Sequence, residues 1–318
     1  MKQILVTIPL RDEQKEALQK AAPDCTFAFT TAANITEEMV ADKEIILGNI
    51  PLELVPFAKK LEWLQLNNAG TDGFCDGILP EGCILTNATG TYGLAISEHV
   101  VGMLLAIIKK LYLYNDNQKE GLWQDEGHVR SIYGANVLIL GFGDIGEKTA
   151  RLLHAFGANV RGVRRTAAEK PDFLEELVTT EETDRLLPWA DYIVLTMPGT
   201  PATKGFIDKR RLSLMKKDAV IINIGRGILI ETEALVDALE NGELGAAGLD
   251  VTDPEPLPQG HRLYHTKNCF ITPHISGQYH LPQTLELIYA LFLRNLSAYM
   301  AKKPLESVID FKTGYRIP

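Results

Sequence analysis

The sequence contains no Cys-x-x-Cys pair: its four cysteines, Cys25, Cys75, Cys83 and Cys269, lie far apart. That spacing excludes a disulfide framework or a cysteine-rich metal ribbon as the organising device. The thiols are expected to be reduced, mostly as buried filler in a cytoplasmic protein, and no metal site is called for. Long apolar runs are also missing. The longest, around Val100 to Ile108, falls well short of the roughly 20 residues that a membrane-spanning helix needs. Basic residues are in deficit, with 32 Lys and Arg against 41 Asp and Glu, a formal charge of −9. Neither nucleic acid nor an anionic membrane is then expected as the main partner, although a local basic pocket can still hold a phosphate. The start, Met1 to Ile8, enters a strand pattern at once and shows no signal-peptide apolar region. There is no internal repeat and no low-complexity stretch.

What is present is the mix of a globular protein, 46% apolar and 23% charged over 318 residues. That length is long for one core and points to two domains. Short apolar runs alternate with helical ones through the first 90 or so residues. Ile4–Ile8, Thr26–Thr30, Glu44–Gly48, Leu61–Leu66 and Cys83–Asn87 read as strands, and Asp12–Ala21 as an amphipathic helix. Strands spaced by helices imply a parallel sheet covered on both faces. From Ala95 to about Lys119 runs a single long helical pattern, apolar around much of its circumference. It is buried on more than one side, either as an interdomain core helix or at a subunit interface.

A second series then opens on Asn136-Val-Leu-Ile-Leu-Gly-Phe-Gly-Asp-Ile-Gly146. Its apolar run stops at Gly141, Gly143 and Gly146, in the spacing G-x-G-x-x-G, and a helix is expected from Gly146 to about Phe156. Such a loop lets a strand turn tightly, lets backbone approach a pyrophosphate and lets helix and strand pack closely. Free N–H groups at the helix start favour the phosphates. Ala158–Val163, Tyr192–Thr196, Ala219–Asn223, Ala246–Asp250 and Cys269–Thr272 continue as strands, with a helix over Glu231–Asn241 capped by Gly242. Leu281–Ala301 is a long amphipathic helix leading back to the first domain. Asp310–Pro318 reads as a short exposed extension. The fold class is therefore α/β: two doubly wound parallel-sheet domains, with a Rossmann dinucleotide-binding domain (96–286) inserted in a flavodoxin-like substrate domain (1–95 and 287–318).

The second strand of a dinucleotide fold normally ends in an acid that holds the ribose 2′-hydroxyl. Here the tip is Arg164-Arg165-Thr166. A carboxylate repels a 2′-phosphate, whereas guanidinium groups grip one, so NADP(H) is expected over NAD(H), with NAD(H) still possible. Three further stretches end strands, where open α/β sheets bind ligands: Asn223-Ile-Gly-Arg226-Gly227, Gly248-Leu-Asp250 through Glu255-Pro256, and Thr272-Pro-His274-Ile-Ser-Gly277. Singly, each has an ordinary structural reading: Arg226 as a surface ion-pair partner, Glu255 as a solvated acid, His274 as a satisfied core histidine. Together they supply a cation, an acid and a proton carrier, which is what hydride transfer to a 2-keto acid requires.

With Leu195-Thr-Met-Pro198 to Thr203, Met215 to Gly227, Asn68-Ala-Gly-Thr-Asp72 and Ala95-Ile-Ser-Glu98-His, these stretches resemble the D-isomer-specific 2-hydroxyacid dehydrogenase family. The tip Arg164-Arg165-Thr166 and the ending Thr313-Gly-Tyr315 resemble its NADPH-preferring glyoxylate/hydroxypyruvate reductase branch. This resemblance implies that Arg226 binds the substrate carboxylate and polarises its carbonyl. It implies that His274 exchanges the proton, and that Glu255 orients the imidazole. Asn68, Ala69 and Gly70 are implied to grip the carboxylate from the other domain, in a site that closes as the domains hinge. Gly141, Gly143, Asp144, Ile145 and Gly146 are implied at the pyrophosphate, and Arg164, Arg165 and Thr166 at the 2′-phosphate. Pro198 and Thr203 are implied on the adenosine side, and Asp250 at the carboxamide, with Ile224, His274 and Gly277 also on the cofactor. The expected partner is a small 2-keto or 2-hydroxy acid, with a homodimer as the assembly. Formate is disfavoured because Glu255 stands where formate dehydrogenases carry an amide. The alternatives are an NAD-linked dehydrogenase of phosphoglycerate or a bulkier acid, and a dinucleotide-sensing regulatory protein.

Overall fold

The structure is a computed structural model that describes residues 1–317. The chain divides into two compact units, Met1–Tyr92 with the segment from Leu281 onward, and Gly93–His280. These lines fall where helices begin, a few residues from the 95/96 and 286/287 divisions expected from sequence. Pro318, the last residue of the expected tail, lies outside the described residues.

In the first unit β1 (Gln3–Val6), α1 (Asp12–Ala21), β2 (Thr26–Phe29), α2 (Glu37–Ala41), β3 (Ile45–Leu47), β4 (Trp63–Gln65) and β5 (Ile84–Thr86) follow in turn. Among the described residues the strands form one sheet, all parallel, in the order β2-β1-β3-β4-β5. That is the flavodoxin-like order. Ile45, Ile46 and Leu47 are fully buried, as expected of a strand covered on both faces. α1 carries Asp12 and Glu13 in its first turn and Lys20 in its last, which complements the helix dipole.

The second unit runs α3 (Gly93–Ile108), α4 (Leu111–Lys119), β6 (Asn136–Leu140), α5 (Asp144–Ala155), β7 (Asn159–Arg164), β8 (Glu176–Thr179), α6 (Thr183–Leu186), β9 (Tyr192–Leu195), α7 (Lys209–Leu214), β10 (Val220–Asn223), α8 (Thr232–Glu240), β11 (Ala246–Leu249) and β12 (Cys269–Ile271). Its sheet has the order β12-β11-β10-β9-β6-β7-β8, again parallel throughout. Numbered within the unit, that is the Rossmann order 3-2-1-4-5-6 with one further strand. α9 (Pro282–Met300) returns the chain to the first unit. There the buried Asn295 amide donates to Gln65 Oε1 at 2.7 Å, and Thr86 donates to the same oxygen at 2.8 Å.

Three expectations need correction. The single helix over 95–119 is two, because Lys110 takes a left-handed φ of 57°. Its amino group and that of Lys109 donate to the carbonyls of Glu126 and Arg130, holding the following segment in place. The helix of the glycine loop starts at Asp144 rather than after Gly146. β8 has no counterpart in the sequence reading. It is an edge strand whose Glu176 pairs with Arg185 at 2.6 Å and Arg161 at 3.5 Å, and charge on an edge masks the apolar signal. The tail is largely exposed through residue 317, as expected, and it folds on itself. Val308 bridges Thr86, and the chain turns so that Asp310 N–H meets the Tyr315 carbonyl and Ile317 N–H the Val308 carbonyl.

All four cysteines are free thiols. Burial pushes Cys83 and Cys269 up to about 12. Among the described residues no helix is long and apolar enough to cross a membrane.

Candidate active site

Steric demands fix two of the three glycines of the loop. Gly141 sits at φ +107°, and a Cβ there would lie 2.7 Å from the Met197 backbone nitrogen. A Cβ on Gly146 would meet the Gly141 carbonyl oxygen at 2.4 Å, so α5 can approach β6 only without one. Gly143 differs. Its missing Cβ would face open space, with nothing within 4 Å. Gly143 also caps α5 without any side-chain hydrogen bond. The N–H groups of Asp144 and Ile145 donate to no group among the described residues. An open cradle with unspent donors at a helix start fits the pyrophosphate of a dinucleotide.

Arg164 ends β7, half-buried, and Arg165 and Thr166 follow on an exposed bend. No hydrogen bond or ion pair occupies the Arg164 guanidinium among the described residues. Beyond β9, Thr203 is buried and closes the Pro198–Thr203 loop on itself. Its hydroxyl donates to the Pro198 carbonyl at 2.7 Å and accepts from Thr200 N–H at 2.8 Å.

Arg226, Glu255 and His274 leave the carboxyl ends of β10, β11 and β12, three adjacent parallel strands. At the first, Asn223 shapes the turn: its Oδ1 accepts from Gly225 N–H at 3.1 Å and its Nδ2 donates to the Arg226 carbonyl at 2.9 Å. Ile224 is buried beside it. One guanidinium nitrogen of Arg226 donates to the Gly225 carbonyl at 2.7 Å. Gly227 packs so tightly on the second loop that a Cβ would stand 1.9 Å from the Thr252 carbonyl oxygen. Backbone cannot yield as a flexible side chain can. Gly227→Ala is therefore expected to destabilise the protein by about 1–3 kcal/mol, the usual cost of overpacking. A urea midpoint equal to that of the wild type would show the two loops not to be in contact.

The third loop hangs on Asp250, which is 1% exposed. Its Oδ1 accepts from Thr272 Oγ1 at 2.6 Å and Ile275 N–H at 3.0 Å, and its Oδ2 from Ser276 N–H at 3.1 Å and Ser276 Oγ at 2.5 Å. Burial pushes the carboxyl up, but the Ser276 and Thr272 hydroxyls and the two N–H groups outweigh it and hold it below the usual range. It is anionic at neutral pH. On the loop so held, His274 adopts φ 51°, and its N–H points to the Asp250 carbonyl at 2.8 Å. Its Nδ1 meets Glu255 Oε1 at 2.5 Å, while both side chains stay accessible, at 44% and 39%. Nε2 has no partner among the described residues. The sequence reading had Asp250 only at a carboxamide. Its hydrogen bonds to Thr272 and Ser276 went unseen, since nothing local in sequence joins residues more than 20 apart.

In the first unit Asn68, Ala69 and Gly70 form a half-buried bend after β4. Their carbonyls are used, Asn68 accepting from Ala88 N–H at 2.9 Å and Ala69 from the Asn87 amide at 2.5 Å. The N–H groups of Ala69 and Gly70 are spent on nothing among the described residues.

Residues 101–276 match the family model described as D-isomer specific 2-hydroxyacid dehydrogenase, NAD binding domain. The chain belongs to that family. A glyoxylate reductase/hydroxypyruvate reductase of Homo sapiens is 34% identical over 258 residues, 78% of this chain and 73% of its own length. Among solved structures, a D-isomer specific 2-hydroxyacid dehydrogenase family protein from Aeromonas salmonicida is 31% identical. It superposes with a TM-score of 0.85, over 98% of this chain and 99% of that one. A probable 2-hydroxyacid dehydrogenase from Rhizobium etli, in complex with NADP, HEPES and L(+)-tartaric acid, is 26% identical. Its TM-score is 0.80, over 99% of this chain and 100% of its own. This 2-hydroxyacid dehydrogenase homologue is thus an NAD(P)-dependent oxidoreductase acting on CH–OH groups.

Proposed function

We propose that the protein reduces a small 2-keto acid of the glyoxylate or hydroxypyruvate type, D-specifically, with NADPH preferred. The observation that carries this reading is the His274–Glu255 pair. One imidazole nitrogen is taken by a carboxylate, and the other, on an accessible side chain, has no partner among the described residues. The bound dinucleotide supplies the hydride. The chain's own residues do the rest. Arg226 presents a planar cation that matches a carboxylate. His274 Nε2 delivers a proton to the carbonyl oxygen, and takes it back in the reverse direction. Glu255 stabilises the imidazolium and fixes its tautomer. The Ala69 and Gly70 N–H groups, spent on nothing among the described residues, are assigned to a carboxylate. Gly143, Asp144 and Ile145 are assigned to the pyrophosphate, and Pro198, Thr203, Ile224, Asp250 and Gly277 remain assigned to the cofactor. The unoccupied guanidinium of Arg164 and the NADP bound by the Rhizobium etli relative support NADP(H). We also assign a homodimer to this chain, since Trp123, Leu122, Leu111 and Tyr133 are exposed on and after α4.

Purified protein given NADPH and a panel of 2-keto acids should lose nicotinamide absorbance fastest with glyoxylate or hydroxypyruvate. Faster turnover of a bulky keto acid, or of 3-phosphohydroxypyruvate with NADH, would reassign the substrate. Binding of the dinucleotide without turnover of any acid would favour a sensor.

A further inference from the structure

α3 carries His99, a residue without a task in the site described so far. Its Nε2 lies 3.1 Å from Thr272 Oγ1 and 3.8 Å from Asp250 Oδ1. Thr272 has one hydroxyl hydrogen. The partner at 2.6 Å, Asp250 Oδ1, belongs to a buried anionic carboxylate that can only accept, so the hydrogen goes there. Thr272 Oγ1 must then accept from His99, which places a proton on Nε2. The chain of donors runs one way: His99 Nε2–H to Thr272, Thr272 to Asp250, with Asp250 fastening the backbone of residues 275 and 276.

We propose that His99 is a positioning residue for the proton donor, acting through Thr272 and Asp250 on the loop that holds His274. That loop needs holding, because His274 sits at φ 51°, a region in which a residue with a Cβ is strained unless its surroundings compel it. With a donor on its oxygen, the Thr272 hydroxyl is oriented at Asp250. Without one, only the bond to Asp250 orients the side chain, and the clamp on the loop loosens. His99 lies 173 residues from Thr272 and on a helix rather than a loop. Its link to the site is therefore visible only in the folded chain.

This inference rests on the proposed role of His274. The test compares His99→Leu, which removes the donor, with His99→Gln, whose amide can place an N–H where Nε2 stood. Thr272→Val and the double variant His99→Leu/Thr272→Val complete the set. Steady-state reduction of the best keto acid and thermal midpoints are measured for each. His99→Leu and Thr272→Val should each lower kcat about tenfold, the effect of one lost oriented hydrogen bond, with KM for the keto acid within about twofold of wild type. The double variant should also lose about tenfold, because both changes cut one chain. His99→Gln should keep wild-type turnover. Wild-type kcat in His99→Leu, a His99→Gln as slow as His99→Leu, or effects that multiply in the double variant would each overturn the proposal. Should His99→Leu fail to fold, Thr272→Val and His99→Gln still decide it. His274→Ala separates the levels. If it turns over normally, the proposed role of His274 falls and this inference with it; if it is inactive while His99→Leu is normal, only this inference falls.

Discussion

His274→Ala is expected to lower kcat for keto-acid reduction by about 10²–10⁴-fold, the range that general acid catalysis contributes. Dinucleotide binding, followed by nicotinamide fluorescence, should be far less affected. Without the imidazole the alkoxide formed at C2 must find its proton from water. Glu255→Gln should show a smaller loss, because an amide can still hydrogen-bond Nδ1 but cannot stabilise a positive ring. The pairing at 2.5 Å makes that ordering specific. A His274→Ala variant with wild-type kcat would remove the residue from its proposed role, whatever the family resemblance.

Replacing Arg164 and Arg165 together by serine should reduce kcat/KM for NADPH by about 10- to 100-fold, the magnitude of one or two lost charge-assisted hydrogen bonds. The value for NADH should stay within about twofold, because the 2′-hydroxyl has no charge for a guanidinium to meet. Structure and sequence both motivate this: Arg164 ends β7, and no group among the described residues competes for its charge. Equal losses with both cofactors would mean that the pair supports the loop rather than a phosphate.

Much of the candidate site was legible because its signals are local. Gly141, Gly143 and Gly146 announce a turn at fixed spacing; the contacts a Cβ would make explain Gly141 and Gly146, while Gly143 faces open space. Apolar runs located eleven of the twelve strands among the described residues, because most of these parallel strands are buried on both faces and leave dense apolar segments. β8 escaped for the opposite reason. At an edge, with Glu176 shared between two arginines, it carries too little apolar content to register. The break at Lys110 escaped because neither glycine nor proline marks it. It coincides with two lysine ammonium groups reaching carbonyls of the segment beyond.

Sequence by itself determined that the chain alternates strand and helix, where its glycine turn lies, and which cation, acid and imidazole stand at strand ends. Each of these depends on neighbours a few residues apart. Only the tertiary structure decided that Glu255 meets the Nδ1 side of His274, that Asp250 spends its charge on residues 272–276, and that His99 stands behind Thr272. Those pairings join residues 19 to 173 positions apart. No local propensity encodes them, because they arise when parallel strands in register bring their carboxyl ends side by side and α3 packs against the same sheet.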